Sequence, residues 1–253
     1  MDLKLKGKNC ILTGGSRGIG RAIALALADE GVNVALCARN REALDETGER
    51  IRSRGVRAYT HVCDVGDAKA LGDFLEAARE ALGGVDLFVH NASALAVEPG
   101  LEAWRPSFEV DLMGAVNACA RVVPWMEKAG GGSILFVSSI AGVEAVPLPD
   151  FAYTTVKAGL IAYAKKLAVT HAPKGIRVNA VAPGSIEFPG GVWDEARKHQ
   201  PEFYKAVLDS IPGGRMGTAE EVADAAVYLL SPRAQWVTGE TLSVDGGQHR
   251  GMR

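Results

Sequence analysis

Short apolar runs alternate with longer amphipathic segments along this whole sequence, and few architectures satisfy that alternation. Residues 9–13, 33–38, 58–62, 86–90, 133–138, 177–182 and 241–245 read as strands. Several, such as residues 134–137, are apolar without a break, as strands covered on both faces of a parallel sheet must be. Between them, residues 21–30, 41–54, 68–82, 101–129, 153–171 and 219–230 read as helices. Gly31, Gly55 and Gly175 stand where a left-handed residue closes a helix, and Thr218-Ala-Glu-Glu221 has the pattern of a capping box. Repeated βαβ units imply an α/β, doubly wound parallel sheet in one domain over residues 1–253. The Gly- and Pro-rich stretch 184–215, with helical character around 194–208, reads as a lid over a site and not as a second domain.

The first turn carries the strongest local signal. Thr13-Gly-Gly-Ser-Arg-Gly-Ile-Gly20 lies between a strand and an apolar helix. Glycines there let the backbone turn sharply and approach a pyrophosphate at the helix N-terminus, where free N–H groups and the dipole favour an anion. Gly14, Ser16, Arg17, Gly18, Ile19 and Gly20 are therefore candidate cofactor-binding residues.

A second signal is Tyr153-Thr-Thr-Val-Lys157, preceded fourteen positions upstream by Ser139. Residues four apart on a helix share a face. A phenol titrates near pH ~10 unassisted, and a neighbouring ammonium favours its ionised form. A phenol, an ammonium and a hydroxyl together suit the proton transfer that accompanies hydride transfer to a carbonyl. Alone, the Tyr–Lys spacing also fits a half-buried aromatic beside a snorkelling amine.

Composition removes other classes. The chain is 47% hydrophobic and 23% charged with a net charge of −2, so neither disorder nor a nucleic-acid footprint is expected. No apolar stretch is long enough to span a bilayer. The charged start, Met1 to Lys8, argues against a secretory signal. Cys10, Cys37, Cys63 and Cys119 are scattered as buried free thiols would be, which points to a reducing, cytoplasmic setting. No CxxC or His/Cys cluster suggests a metal.

With Asn91-Ala-Ser93 after the fourth strand, Ser139, Tyr153, Lys157, Pro183-Gly184 and Asp245-Gly-Gly247, the TGxxxGxG turn makes this chain resemble the short-chain dehydrogenase/reductase family over nearly its whole length. Within the family it resembles the 3-oxoacyl-[acyl-carrier-protein] reductase-like group. The resemblance implies a Rossmann fold with seven parallel strands in order 3-2-1-4-5-6-7. It gives Ser139 the substrate oxygen, Tyr153 the proton, and Lys157 the nicotinamide ribose together with a bias toward tyrosinate. It adds Asn91, Ala92, Ser93, Pro183, Gly184 and Ile186 to the cofactor contacts, and Asp64 and Val65 beside the adenine, although Asp64 equally suits a helix cap. Ser138 is the competing serine, placed as a strand-end residue. A homotetramer or homodimer is implied, with residues 236–253 as a contact.

The second strand ends Ala38-Arg39-Asn40, without the carboxylate that binds the ribose hydroxyls of NAD. Arg39, with Arg17 approaching from the glycine turn, suits a 2′-phosphate, so NADP(H) is expected over NAD(H); both side chains are otherwise solvated. Where relatives have an asparagine, this chain has Asp111, expected to support a relay to Lys157 or to stabilise the lysine cation. On that reading Asp111→Asn retains most activity with a shifted pH profile. Phe188 replaces a common threonine; it reads as lid packing or, with Trp193, as an apolar substrate wall. His90, often asparagine in relatives, reads as a packed strand-end residue. The expected function is an NADP(H)-dependent oxidoreductase acting on a small-molecule ketone, aldehyde or alcohol. The alternative is a dinucleotide-binding sensor or scaffold with little turnover.

Overall fold

The computed structural model describes residues 1–251. Seven parallel strands form one sheet in the order β3-β2-β1-β4-β5-β6-β7. They are β1 (Asn9–Thr13), β2 (Asn33–Ala38), β3 (Ala58–Val62), β4 (Leu87–His90), β5 (Gly132–Val137), β6 (Ile176–Pro183) and β7 (Thr241–Val244). Because β1 pairs with both β2 and β4, the chain winds outward to β3 and then returns across β1. The reversal opens a crevice at the carboxyl ends of β1 and β4, where open α/β sheets hold their ligands.

Helices cover both faces. On one, α1 (Gly18–Asp29), α2 (Arg41–Arg52) and α9 (Ala219–Leu230) bury Ile23, Leu27, Leu44, Ile51, Val222 and Leu230 against Cys10, Leu12 and Leu36. On the other, α3 (Ala68–Leu82), α5 (Gly114–Ala129) and α6 (Phe151–His171) pack Phe74, Val122 and Leu160 on Ile11, Phe88 and Phe136. Alternate residues of β1 thus serve opposite cores, which explains the unbroken apolar runs. Fully burying each of these phenylalanines contributes about 2–3 kcal/mol.

The predicted helix ends are present. Gly31, Gly55 and Gly175 adopt φ of +80°, +81° and +74°, and the Thr218–Glu221 capping box forms. Two expected helices are internally different. Residues 101–129 divide into a 3₁₀ turn (Leu101–Ala103), a short α4 (Trp104–Pro106), a π-helical turn (Ser107–Met113) and α5. The stretch 194–208 splits into α7 (Val192–His199) and α8 (Pro201–Ser210), because Pro201 starts a helix readily but cannot continue one. The limits of β1, β2 and β3 are as expected, those of β4 to β7 differ by one residue at one or both ends, and α6 begins at Phe151, ahead of Tyr153. The four cysteines are free and buried. Among the described residues no helix is long and apolar enough to cross a membrane.

Candidate active site

The glycine turn leads from β1 into α1 at the crevice. Gly14 and Gly18 take φ of +76° and +52°, which β-carbon-bearing residues rarely adopt. A Cβ on Gly20 would lie 2.1 Å from the Gly14 carbonyl oxygen. Asn91, just past β4, donates from Nδ2 to that same oxygen at 2.7 Å and fixes the turn against the neighbouring strand. Helix α1 has Arg17 at its N-cap with no side-chain cap, whereas α2, α3 and α9 are capped by Asn40, Asp67 and Thr218. Its first amides thus remain available to an anion, and the turn fits the pyrophosphate of a dinucleotide.

Lys157 lies on α6 facing the sheet, its side chain 3% exposed. Its Nζ donates to the Val137 carbonyl at 3.2 Å and pairs with Asp111 Oδ1 at 3.0 Å, while the ring centre of Tyr153 lies 5.5 Å away. Burial pulls the ammonium pKa down, but the Asp111 carboxylate and Tyr153 more than offset this, so it stands above the usual lysine range. Asp111 sits in the π-helical turn with its side chain wholly buried. Ser93 donates to its Oδ1 at 2.5 Å and the Ala94 N–H to its Oδ2 at 2.8 Å. π-Helical turns recur at functional sites because the wider turn re-aims side chains. Ser107, the first residue of this one, has a buried hydroxyl without a hydrogen-bond partner among the described residues.

His90 stands directly beneath. Its Nε2 lies 3.2 Å from the Asp111 carbonyl oxygen and its Nδ1 lies 3.1 Å from Thr13 Oγ1. A carbonyl only accepts, so Nε2 carries the proton and Nδ1 receives the Thr13 hydroxyl. Burial, with the Lys157 charge second, pushes the imidazole down to about 4, so it is neutral at ordinary pH. The packed strand-end reading of His90 agrees with this placement. Its hold on the Asp111 backbone is not visible in the sequence, since the two residues are 21 positions apart.

The two serines after β5 have different partners. Ser138 is buried and donates to the Lys157 carbonyl at 2.9 Å, tying α6 to the sheet. Ser139 Oγ accepts the Ala141 N–H at 3.1 Å, which leaves its own proton free for another acceptor. Gly142 permits the close approach of α6, since a Cβ there would meet the Lys157 backbone at 2.7 Å.

At the outer end of the crevice, Arg39 is exposed beyond Ala38, and Asn40 is committed to capping α2 through the Ala43 N–H. Asp64 accepts the Gly66 N–H at 3.0 Å, while Asp67 is the residue that caps α3; Val65 is buried. Arg17 Nη1 donates to the Gly190 carbonyl at 3.2 Å, joining the glycine turn to the lid.

Pro183 ends β6, and Gly184 lies against Asp245 and Gln248, where a Cβ would meet each at 2.7 Å. Ile186 is buried and bridges to Gly217. Phe188 lies across the glycine turn, its Cζ 2.4 Å from where a Gly18 Cβ would stand. Trp193 instead stacks on Phe203 of α8, with ring centres 5.8 Å apart. Asp194 braces the lid by accepting from Lys198, Gly190 N and Arg197, contacts that hold its carboxyl well below the usual range.

A family model described as enoyl-(acyl carrier protein) reductase matches residues 14–249. Isoepoxydon dehydrogenase patN of Penicillium expansum is 37% identical over 252 residues, covering 98% of this chain and 97% of that protein. The 3-oxoacyl-[acyl-carrier-protein] reductase FabG of Thermotoga maritima is 35% identical over 249 residues, covering 97% and 99%. A 7α-hydroxysteroid dehydrogenase complexed with NADH and 7-oxo glycochenodeoxycholic acid superposes with a TM-score of 0.91 at 31% identity, covering 100% of this chain and 98% of that one. L-Sorbose reductase of Gluconobacter frateurii, complexed with NADPH and L-sorbose, gives 0.89 at 31% identity, with 100% of both chains covered.

Proposed function

Because this chain belongs to the short-chain dehydrogenase/reductase family, in its 3-oxoacyl-[acyl-carrier-protein] reductase-like group, we propose that it is an NADP(H)-dependent oxidoreductase interconverting a ketone or aldehyde with an alcohol. The observation that carries this reading is the presence, at the carboxyl ends of the central strands, of a glycine turn whose helix is uncapped and of Tyr153 with the paired Lys157 cation. When bound, the dinucleotide supplies the hydride for reduction or takes it in oxidation. Tyr153 gives its phenolic proton to the substrate oxygen, and Ser139 directs its free O–H at that oxygen. A preorganised donor of that kind is worth about 3–4 kcal/mol in the transition state. Lys157, held as a cation, favours the phenolate that remains.

The NADP(H) preference rests on Arg39, which follows Ala38 where a ribose-binding carboxylate would repel a 2′-phosphate. Arg17 is engaged with the lid, so Arg39 is the principal support. Phe188 on the lid favours a substrate with an apolar portion, whereas Trp193 is engaged in its stack on Phe203. We also place the chain in a homotetramer or homodimer, because Trp236 is 97% exposed and Phe151 and Val169 leave apolar surface on α6. Part of the proposed contact, Met252 and Arg253, lies outside the described residues. Buried free thiols suit the cytoplasm.

The test is nicotinamide absorbance over a panel of ketones and alcohols, with NADPH and NADH side by side. Turnover that prefers NADPH and is abolished by Tyr153→Phe, with NADPH binding retained, is the expected result. Tight binding without turnover on any substrate would favour the sensor or scaffold reading.

A further inference from the structure

We propose that Glu144 is a substrate-recognition residue of this site, its carboxylate accepting a hydrogen bond from a donor that the substrate carries besides its reacting oxygen, a hydroxyl or an ammonium. The assignment rests on the oxidoreductase reading above and narrows its substrate class. Glu144 lies in the loop between Ser139 and Tyr153, just past the 3₁₀ turn (Ile140–Gly142) that follows β5, and its N–H donates to the Ile140 carbonyl at 2.9 Å. The residues after it, Ala145 to Pro149, are all exposed, whereas Glu144 is half-buried. A carboxylate drawn out of water needs partners to replace it. Oε2 accepts the Arg250 N–H at 2.8 Å, and among the described residues the carboxylate has no salt bridge and no second hydrogen bond. An ionised carboxylate only accepts and does so through both oxygens, so Oε1 is left to a donor from outside the chain.

The segment that holds Glu144 also fixes its place. Past β7, the Gln248 amide grips Ser185, accepting its N–H at 2.8 Å and donating to its Oγ at 3.0 Å. Ser185 directly follows Gly184 at the end of β6, and Arg250, two residues beyond Gln248, meets Glu144. Residues 248–250 therefore run from the end of β6 to the loop after β5, and those two strands are neighbours in the sheet. Glu144 is thus held between Ser139 and Ser185 at the carboxyl ends of β5 and β6, against the part of a substrate that extends beyond its reacting carbon. The other half-buried acid of the loop, Asp150, is not fixed in this way: it stands at the N-cap of α6 with no side-chain cap hydrogen bond. A fixed acceptor rejects a ligand that lacks the matching donor, because binding such a ligand strips the carboxylate of water and returns nothing.

Binding tests this without turnover. In a Tyr153→Phe background with NADP⁺ present, saturation-transfer NMR measures the affinity of cyclohexanone and pentanone and of their hydroxylated and aminated derivatives. At least one derivative should bind about tenfold or more tightly than its parent, a preference that Glu144→Ala removes and Asp150→Ala keeps. Glu144→Gln retains an acceptor for the Arg250 N–H and tells the donors apart. A hydroxyl, which both gives and accepts, keeps most of its advantage against the amide, whereas an ammonium, which only gives, loses it with the charge. Failure of every derivative to outbind its parent overturns the assignment, as does a preference that survives Glu144→Ala or disappears in Asp150→Ala. In the chain with Tyr153 intact, the same preference should appear in kcat/KM. A Glu144-dependent preference in binding, with no turnover of any substrate, would uphold the recognition site and sink the oxidoreductase reading; Tyr153-dependent turnover indifferent to Glu144 would do the reverse.

Discussion

Asp111→Asn places an amide nitrogen where three donors converge. Oδ1 receives the Ser93 hydroxyl and the Lys157 ammonium and Oδ2 receives the Ala94 N–H, so either orientation of the amide sets a donor against a donor. Leaving a buried polar group unpaired costs about 1–3 kcal/mol. Stripping a buried cation of its counter-charge costs about 3–5 kcal/mol. Because the same contacts enter both figures they overlap, and the variant should lose about 3–4 kcal/mol near neutral pH. The pH dependence carries the diagnosis. In the native protein the Lys157 pKa is raised, so its contribution is fully present below the unfolded value near ~10.4 and is lost as pH rises above it. In the variant, burial acts without the carboxylate and draws the folded value below ~10.4; stability is then recovered as pH rises toward ~10.4, where the lysine sheds its proton in both states. Urea midpoints for both proteins at about pH 7 and about pH 9.5, with the m-value unchanged, measure the gap. It should narrow at the higher pH. Equal stabilities at neutral pH, or a gap that stays constant, would refute the ion-pair reasoning.

Other substitutions probe the remaining parts. Arg39→Ala should weaken NADPH binding roughly 10- to 150-fold while leaving NADH nearly unaffected, the loss expected for one charge-assisted phosphate contact of about 1.5–3 kcal/mol; calorimetry with each dinucleotide decides it. Phe188→Thr clears the ring from Gly18 and should tighten dinucleotide binding, read from quenching of tryptophan fluorescence; weaker binding would show that the ring supports the site. Ser107→Ala removes a buried hydroxyl that has no partner among the described residues and should raise stability by about 1 kcal/mol in urea denaturation.

The strand order and most element limits are legible because each core-facing run is apolar and each turn carries its own chemistry, as at Gly31 and Thr218. Lys157, Asp111 and Ser139 are legible as candidates through spacing and resemblance, and the structure brings Lys157 and Asp111 into contact. The π-helical turn is not, because one extra residue per turn leaves a helical hydrophobic pattern almost unchanged over seven positions. Arg17 donating to Gly190 and Phe188 lying over Gly18 join segments some 170 positions apart, and no local pattern encodes such contacts. The alternative that Asp64 caps the following helix is decided only by the backbone path, which gives that cap to Asp67.

The turn at Ser107–Met113 also acts as a counting device. Successive residues of a regular helix advance by about 100° around its axis. Deleting one residue there, so that the turn relaxes to regular pitch, would carry Asp111 roughly a quarter turn away from the lysine it faces. Away from Asp111, substitutions along this segment leave that bearing intact, but changes in its length do not. A graft of the corresponding helix from a protein without the widened turn would deliver the right side chains on the wrong bearing.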